Sequence, residues 1–173
     1  GTSPFGLDLA ALNIQRGRDF GLQPYNRYRS FCGLPEAKSF DELKVNIKQG
    51  VIDDLRKAYR HVDDIDLWVG GLAEEPVPGS MLGNTFLCLV GDQFLRLKEG
   101  DRFFYDNPSL PHSLNPTQLR EIKKTSLSRL LCDNGDVSKL TNILALFLPS
   151  RINREVTCDD PEIPRVNLDA WKQ

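Results

Sequence analysis

Apolar residues recur along this chain mostly three and four positions apart, the spacing of helices with one buried face. Asp8 is placed to cap a helix that runs to about Arg18 and closes near Gly21. Pro24 suits the first turn of a second helix carrying Tyr25 to Phe31. Ser39-Phe-Asp-Glu42 reads as a capping box that opens a short helix. Another helix follows Gly50, with Val51, Leu55 and Tyr59 at helical spacing. Clustered prolines and glycines from Asp64 to Pro78 predict an ordered loop. The strongest helical pattern follows Ser80, where Leu82, Phe86, Val90 and Phe94 repeat until Gly100. Pro108, Pro111 and Pro116 punctuate the next loop, and Asn115 caps a helix containing Leu119 and Ile122. Ser126 to Cys132 reads as helical and ends at Asn134-Gly135. The stretch from Pro149 onward has no periodicity, with Val166, Leu168 and Trp171 as its docking residues. The fold class is therefore mainly α, with long loops and no alternation of strand and helix.

The 173 residues suffice for one domain with a substantial core. Charged residues make up 27% and the net charge is -2, with both signs scattered. That balance gives no electrostatic reason to expect nucleic acid or an anionic membrane as partner. No apolar run approaches the roughly 18 residues of a membrane span. The chain opens at Gly1, and patterned sequence begins by Asp8, so a processed chain or a fragment is expected. Asn107 and Asn115 are each followed by proline, which blocks glycosylation.

Two features carry candidate chemistry. Leu9, Leu12, Asn13 and Arg16 share one face of the first helix. An amide beside leucines needs a partner, and an arginine at the edge of such a face suits a carboxylate or phosphate. The second feature is the cysteines at 32, 88, 132 and 158, which form no CxxC pair. A zinc site is disfavoured. Composition alone leaves two disulfides and four buried thiols equally open. Tyr25, Tyr28, Trp68 and Trp171 read as core or interface aromatics, and Glu74-Glu75 as a solvated acidic pair.

The segment DLAALNIQRGRDFGLQPYNRYRSFCGLP resembles the signature of animal haem peroxidases, the group that includes myeloperoxidase, lactoperoxidase and peroxidasin. IDLWVGGLAEEPVPGSMLG, FLRLKEGDRFFYDNP, SLSRLLCDNG and IPRVNLDAW follow in the order that family shows. The texture is nearest arthropod or peroxidasin-like members. The resemblance implies the C-terminal part of a single peroxidase domain over residues 1–173. It implies that Asn13 accepts a hydrogen bond from the proximal histidine of the haem iron, a contact that raises imidazole basicity. It implies that Arg16 pairs with a haem propionate and that Leu9 and Leu12 lie against the porphyrin or its proximal side. The implied disulfides are Cys32–Cys88 and Cys132–Cys158, which favours a secreted or granule protein. Arg18 and Asp19 belong to the same motif, and an ion pair that holds the turn after the helix is the preferred reading.

Phe20 stands where many family members have histidine, and Asn84 where proline is usual. The distal histidine and its arginine, the proximal histidine, the carboxylates that esterify haem and the calcium loop are all expected upstream of this segment. His61, read as lying in a charged surface helix, and His112, in a proline-flanked loop, are assigned no iron. The expected function is a share in a secreted haem peroxidase that uses hydrogen peroxide to oxidise halide, thiocyanate or phenolic substrates. The alternative is a peroxidase-like adhesive or matrix protein without turnover. The expected partner is the upstream part of the domain, in the same chain or as a separate processed chain.

Overall fold

A computed structural model describes residues 6–141 and 143–172. Its contacts group the chain into two compact units that divide after Gly100.

The first unit opens with α1 (Leu9–Asp19) and α2 (Tyr25–Phe31). The Asp8 carboxylate accepts the Ala11 N–H at 3.1 Å, so the expected cap is formed. Gly21 takes a φ of 66° just beyond the helix, a value that favours glycine. A 3-10 helix (Phe40–Val45) follows, then α3 (Gln49–Ala58). The capping box expected at Ser39 is not formed. Its side chain makes no cap bond, and Glu42 reaches past it to the Lys38 N–H at 2.9 Å. On α3 the buried residues are Ile52 and Leu55, whereas Val51 is exposed and Tyr59 follows the last turn. Ile52 and Leu55 join Tyr25, Ala37, Phe40, Leu43, Ile47, Val62 and Ile65 in one core cluster.

The segment expected as a loop from Asp64 to Pro78 contains a helix, α4 (Leu67–Ala73). Gly70 and Gly71 sit inside it because two aromatic rings press on their backbone. A Cβ on Gly70 would overlap the Tyr25 ring, and one on Gly71 the Phe86 ring. They serve close approach, not a turn. The long helix α5 (Asn84–Gly100) starts after Leu82, and Val90 and Phe94 of the expected row are exposed. Cys32 and Cys88 are bonded, with Cα atoms 6.0 Å apart.

The second unit contains α6 (Pro116–Ile122) and α7 (Leu127–Asn134). Asn115 and Gln118 form a reciprocal capping box on α6. Ser126 caps α7 through the Arg129 N–H at 3.0 Å. The tail expected to be irregular supplies a strand. β1 (Lys139–Thr141) and β2 (Glu155–Thr157) pair antiparallel with Leu140 opposite Val156. Cys132 and Cys158 are bonded, with Cα atoms 5.5 Å apart. Ile163 and Val156 are buried, and the Arg129 guanidinium reaches the Cys158 carbonyl at 2.6 Å. These groups dock the tail. Leu168 and Trp171, expected to do so, are exposed, and Val166 is half-buried. The short 3-10 helix Leu168–Trp171 packs on α6, where the Asn167 N–H donates to Glu121 at 2.8 Å.

Candidate functional site

Asn13 and Arg16, one turn apart on α1, both line a cleft of about 710 Å3 in the first unit. Its remaining walls come from the chain after α1, the start of α4 and the first turn of α5. Ile14, Leu22, Ile65, Leu67, Trp68 and Phe86 give it an apolar surface. Asn13 is half-buried and Arg16 exposed. Among the described residues neither side chain has a hydrogen-bond or ion-pair partner. The acidic residues of the cleft are already engaged: Asp63 accepts from Asn26 at 2.6 Å, Asp64 from the His61 N–H at 2.9 Å, and Asp66 from Arg18. What the cleft offers a ligand is therefore the amides of Asn13 and Gln23, the Arg16 guanidinium and apolar walls. That set fits a flat apolar group carrying carboxylates. Leu9 and Leu12 are not part of the lining and are 68% and 43% exposed.

Arg18 makes the ion pair expected of it. Its Nε and Nη2 donate to the two carboxylate oxygens of Asp66 at 2.9 and 2.8 Å, a bidentate fork. Tyr59 donates its hydroxyl to the same carboxylate at 2.8 Å. The Arg18 guanidinium holds the Asp66 carboxyl below its usual 3.8, and burial with the bond to Asp66 pushes the Tyr59 phenol up to about 12. A carboxyl with a lowered folded pKa contributes stability above its unfolded value and loses it as pH falls through the folded one. Hydrogen-exchange protection of residues 9–19, corrected for intrinsic rate, should thus persist down to about pH 4 and fall only below it. Loss of protection near neutral pH would show that another group holds α1.

A second polar cluster lies beneath, and sequence patterning missed it. Glu74, expected to be solvated, has a side chain with no exposure, so that expectation is corrected. Its Oε1 accepts from the Tyr25 and Thr85 hydroxyls, both at 2.6 Å, and its Oε2 accepts the Thr85 N–H at 2.8 Å. Arg29, 1% exposed, lies 3.7 Å from Oε1 and donates to the Tyr25 oxygen at 3.1 Å and to Asn46 at 2.8 Å. Burial, then the hydrogen bond to Glu74, raise the Tyr25 phenol far above its ordinary value. One signal existed: Tyr25 and Arg29 share a helical face, and a buried arginine demands an acid. Glu75 is exposed and pairs with Lys48 at 3.4 Å.

His61 lies between α3 and a short 3-10 turn (Val62–Asp64), not in a helix, and accepts the Asp63 N–H at 3.2 Å. His112 stacks on Phe103 with ring centroids 4.9 Å apart. Among the described residues no group of three His, Cys, Asp or Glu could hold a metal ion, and no helix is long and apolar enough to cross a membrane.

The family profile described as animal haem peroxidase matches residues 1–145. The chain belongs to the animal haem peroxidase family. Chorion peroxidase of Drosophila melanogaster is 50% identical over 177 residues, which cover 99% of this chain and 21% of that protein. Peroxidasin homolog of Homo sapiens is 45% identical over 169 residues, 96% of this chain and 11% of that protein. Among solved structures, peroxidase A from Dictyostelium discoideum has a TM-score of 0.61 at 36% identity, covering 76% of this chain and 25% of its own. A fatty acid alpha-dioxygenase of Oryza sativa has a TM-score of 0.50 at 31% identity, over 57% of this chain and 16% of its own. This chain therefore spans a quarter or less of each of these animal haem peroxidase relatives. The dioxygenase shows that this fold serves more than one named chemistry, so function rests on the site.

Proposed function

We propose that this chain is the C-terminal part of a secreted haem peroxidase domain that uses hydrogen peroxide to oxidise halide, thiocyanate or phenolic substrates. The observation that carries the reading is the cleft in which Asn13 and Arg16 stand together without partners among the described residues. Its amides, guanidinium and apolar walls suit the proximal side and propionate edge of a haem. Bound haem would supply the iron that reacts with peroxide. Asn13 would accept the N–H of the iron's imidazole ligand and so strengthen its donation to the metal. Arg16 would bind a propionate, and Leu9 and Leu12 would extend the surface on the proximal side. The distal acid/base, the proximal histidine and any calcium site would reside upstream, in the same protein or in a companion chain. The two disulfides support an oxidising compartment.

In the full-length protein, Asn13→Ala should lower the iron–imidazole stretching frequency and cut activity roughly 10–100-fold with the fold intact. Arg16→Ala should release haem on dialysis. An unchanged stretch in the first variant and unchanged haem occupancy in the second would sink the assignment. A full-length protein that purifies without a Soret band would point instead to an adhesive or matrix role without turnover.

A further inference from the structure

Helix α1 carries both residues proposed to serve the haem, yet none of its side chains is buried. Hydrophobic packing within this chain therefore does little to fix its rotation. Apart from the Asp8 cap, its side-chain hydrogen bonds to described residues run from Arg18 to Asp66. That single tie is bidentate, and a planar fork fixes orientation as well as distance.

The acceptor is itself held. Asp66 precedes α4 at the N-cap position, where its side chain makes no bond to the helix. Both oxygens are thus free to face Arg18, and the Tyr59 hydroxyl ties one of them at 2.8 Å. Tyr59 packs against the core cluster. Helix α4 is seated by the Tyr25 and Phe86 rings on Gly70 and Gly71. A continuous path of packed and hydrogen-bonded groups runs from the core through Tyr59 and α4 to Asp66, and from there to α1. Arg18 stands two residues from Arg16 and five from Asn13 on one rigid helix. Any rotation at Arg18 turns the amide and the guanidinium together.

We infer that Asp66, held by Tyr59, is a positioning residue of the haem site: through Arg18 it sets the rotation of α1 and hence the direction in which Asn13 meets the iron's imidazole ligand. The inference rests on the proposed role of Asn13. Groups that hydrogen-bond to a metal's ligand act through such orientation, and small misplacements are costly.

The test uses the haem-loaded full-length protein, with Asp66→Asn and Arg18→Gln. Resonance Raman of the ferrous form reads the iron–imidazole stretch, and potentiometry reads the midpoint potential. Each variant is expected to lower the stretch and raise the potential, and Asp66→Glu to restore part of both. Arg27→Ala, which breaks the exposed pair with Glu36 on α2, should leave both unchanged. Wild-type values in Asp66→Asn and Arg18→Gln would overturn the inference. If neither variant accumulates as a haem protein, Tyr59→Phe decides. It removes only the phenol's hydrogen bond to Asp66, so a lowered stretch supports the inference and an unchanged one overturns it. Asn13→Ala is measured in parallel. A shift there without a shift at Asp66 rejects only the positioning role, whereas no shift at Asn13 rejects the haem-site reading.

Discussion

Replacing Glu74 by alanine is expected to destabilise the protein by about 3–5 kcal/mol, because it strands a buried arginine. The Glu74 side chain is fully enclosed and accepts three hydrogen bonds, two from hydroxyls and one from the Thr85 N–H. Without it, Arg29 keeps only neutral acceptors, the Tyr25 hydroxyl, the Asn46 amide oxygen and the Pro35 carbonyl. Both Thr85 donors lose their acceptor as well. Differential scanning calorimetry of the full-length protein should show the affected transition lowered by on the order of 10 °C. Removing both charges, as Glu74→Leu with Arg29→Met, should recover part of the loss, since the penalty is the uncompensated ion. A Glu74→Ala protein that melts like wild type would refute this. So would a double variant as unstable as the single one.

The Cys32–Cys88 bridge should be worth nearly as much. It closes a loop across a sequence separation of 56, for which chain entropy alone gives about 4 kcal/mol. Cys132–Cys158 closes a separation of 26, worth about 3.5 kcal/mol by the same reasoning. A serine pair at 32 and 88 should therefore cost slightly more than one at 132 and 158. The first bridge also shares its anchor with Glu74: Cys32 Sγ lies 3.7 Å from the Thr85 carbonyl oxygen, in the first turn of α5. Losing the bridge and the carboxylate together should cost less than their sum, because either loss already loosens that turn. Thermal melts without reductant decide it. Full additivity would mean that bridge and carboxylate hold the turn independently.

Helix ends were the most legible part of this chain, because caps are local chemistry. Asp8 and Asn115 each perform the cap that their position implied, and Ser126, read as the first residue of its helix, caps it instead. Apart from Ser39, whose expected cap is not formed, the errors fall where distant residues decide. Gly70-Gly71 reads locally as a helix breaker, but α4 forms because rings from Tyr25 and Phe86 occupy the space beside those glycines. The Glu74-Glu75 pair looks uniform, but one carboxylate is buried under Thr85 and the other faces Lys48. On α3, Val51 and Ile52 are equally apolar, and only the placement of the core chose Ile52. Asn13 and Arg16 were named through family resemblance, and spacing alone showed only that they share a face. Asp66 lies 48 residues from Arg18, too far for any periodicity to link them.

The pairing of the cysteines bears on how the chain acquires its covalent form. Four cysteines admit three connectivities, and this one joins first to second and third to fourth. Each bridge stays inside one compact unit. As the polypeptide emerges from its amino end, Cys88 finds Cys32 as its only earlier partner in this segment. That bond can close before Cys132 appears. Within this segment, oxidation can then follow the direction of synthesis, one unit at a time, without exchange between the two bridges.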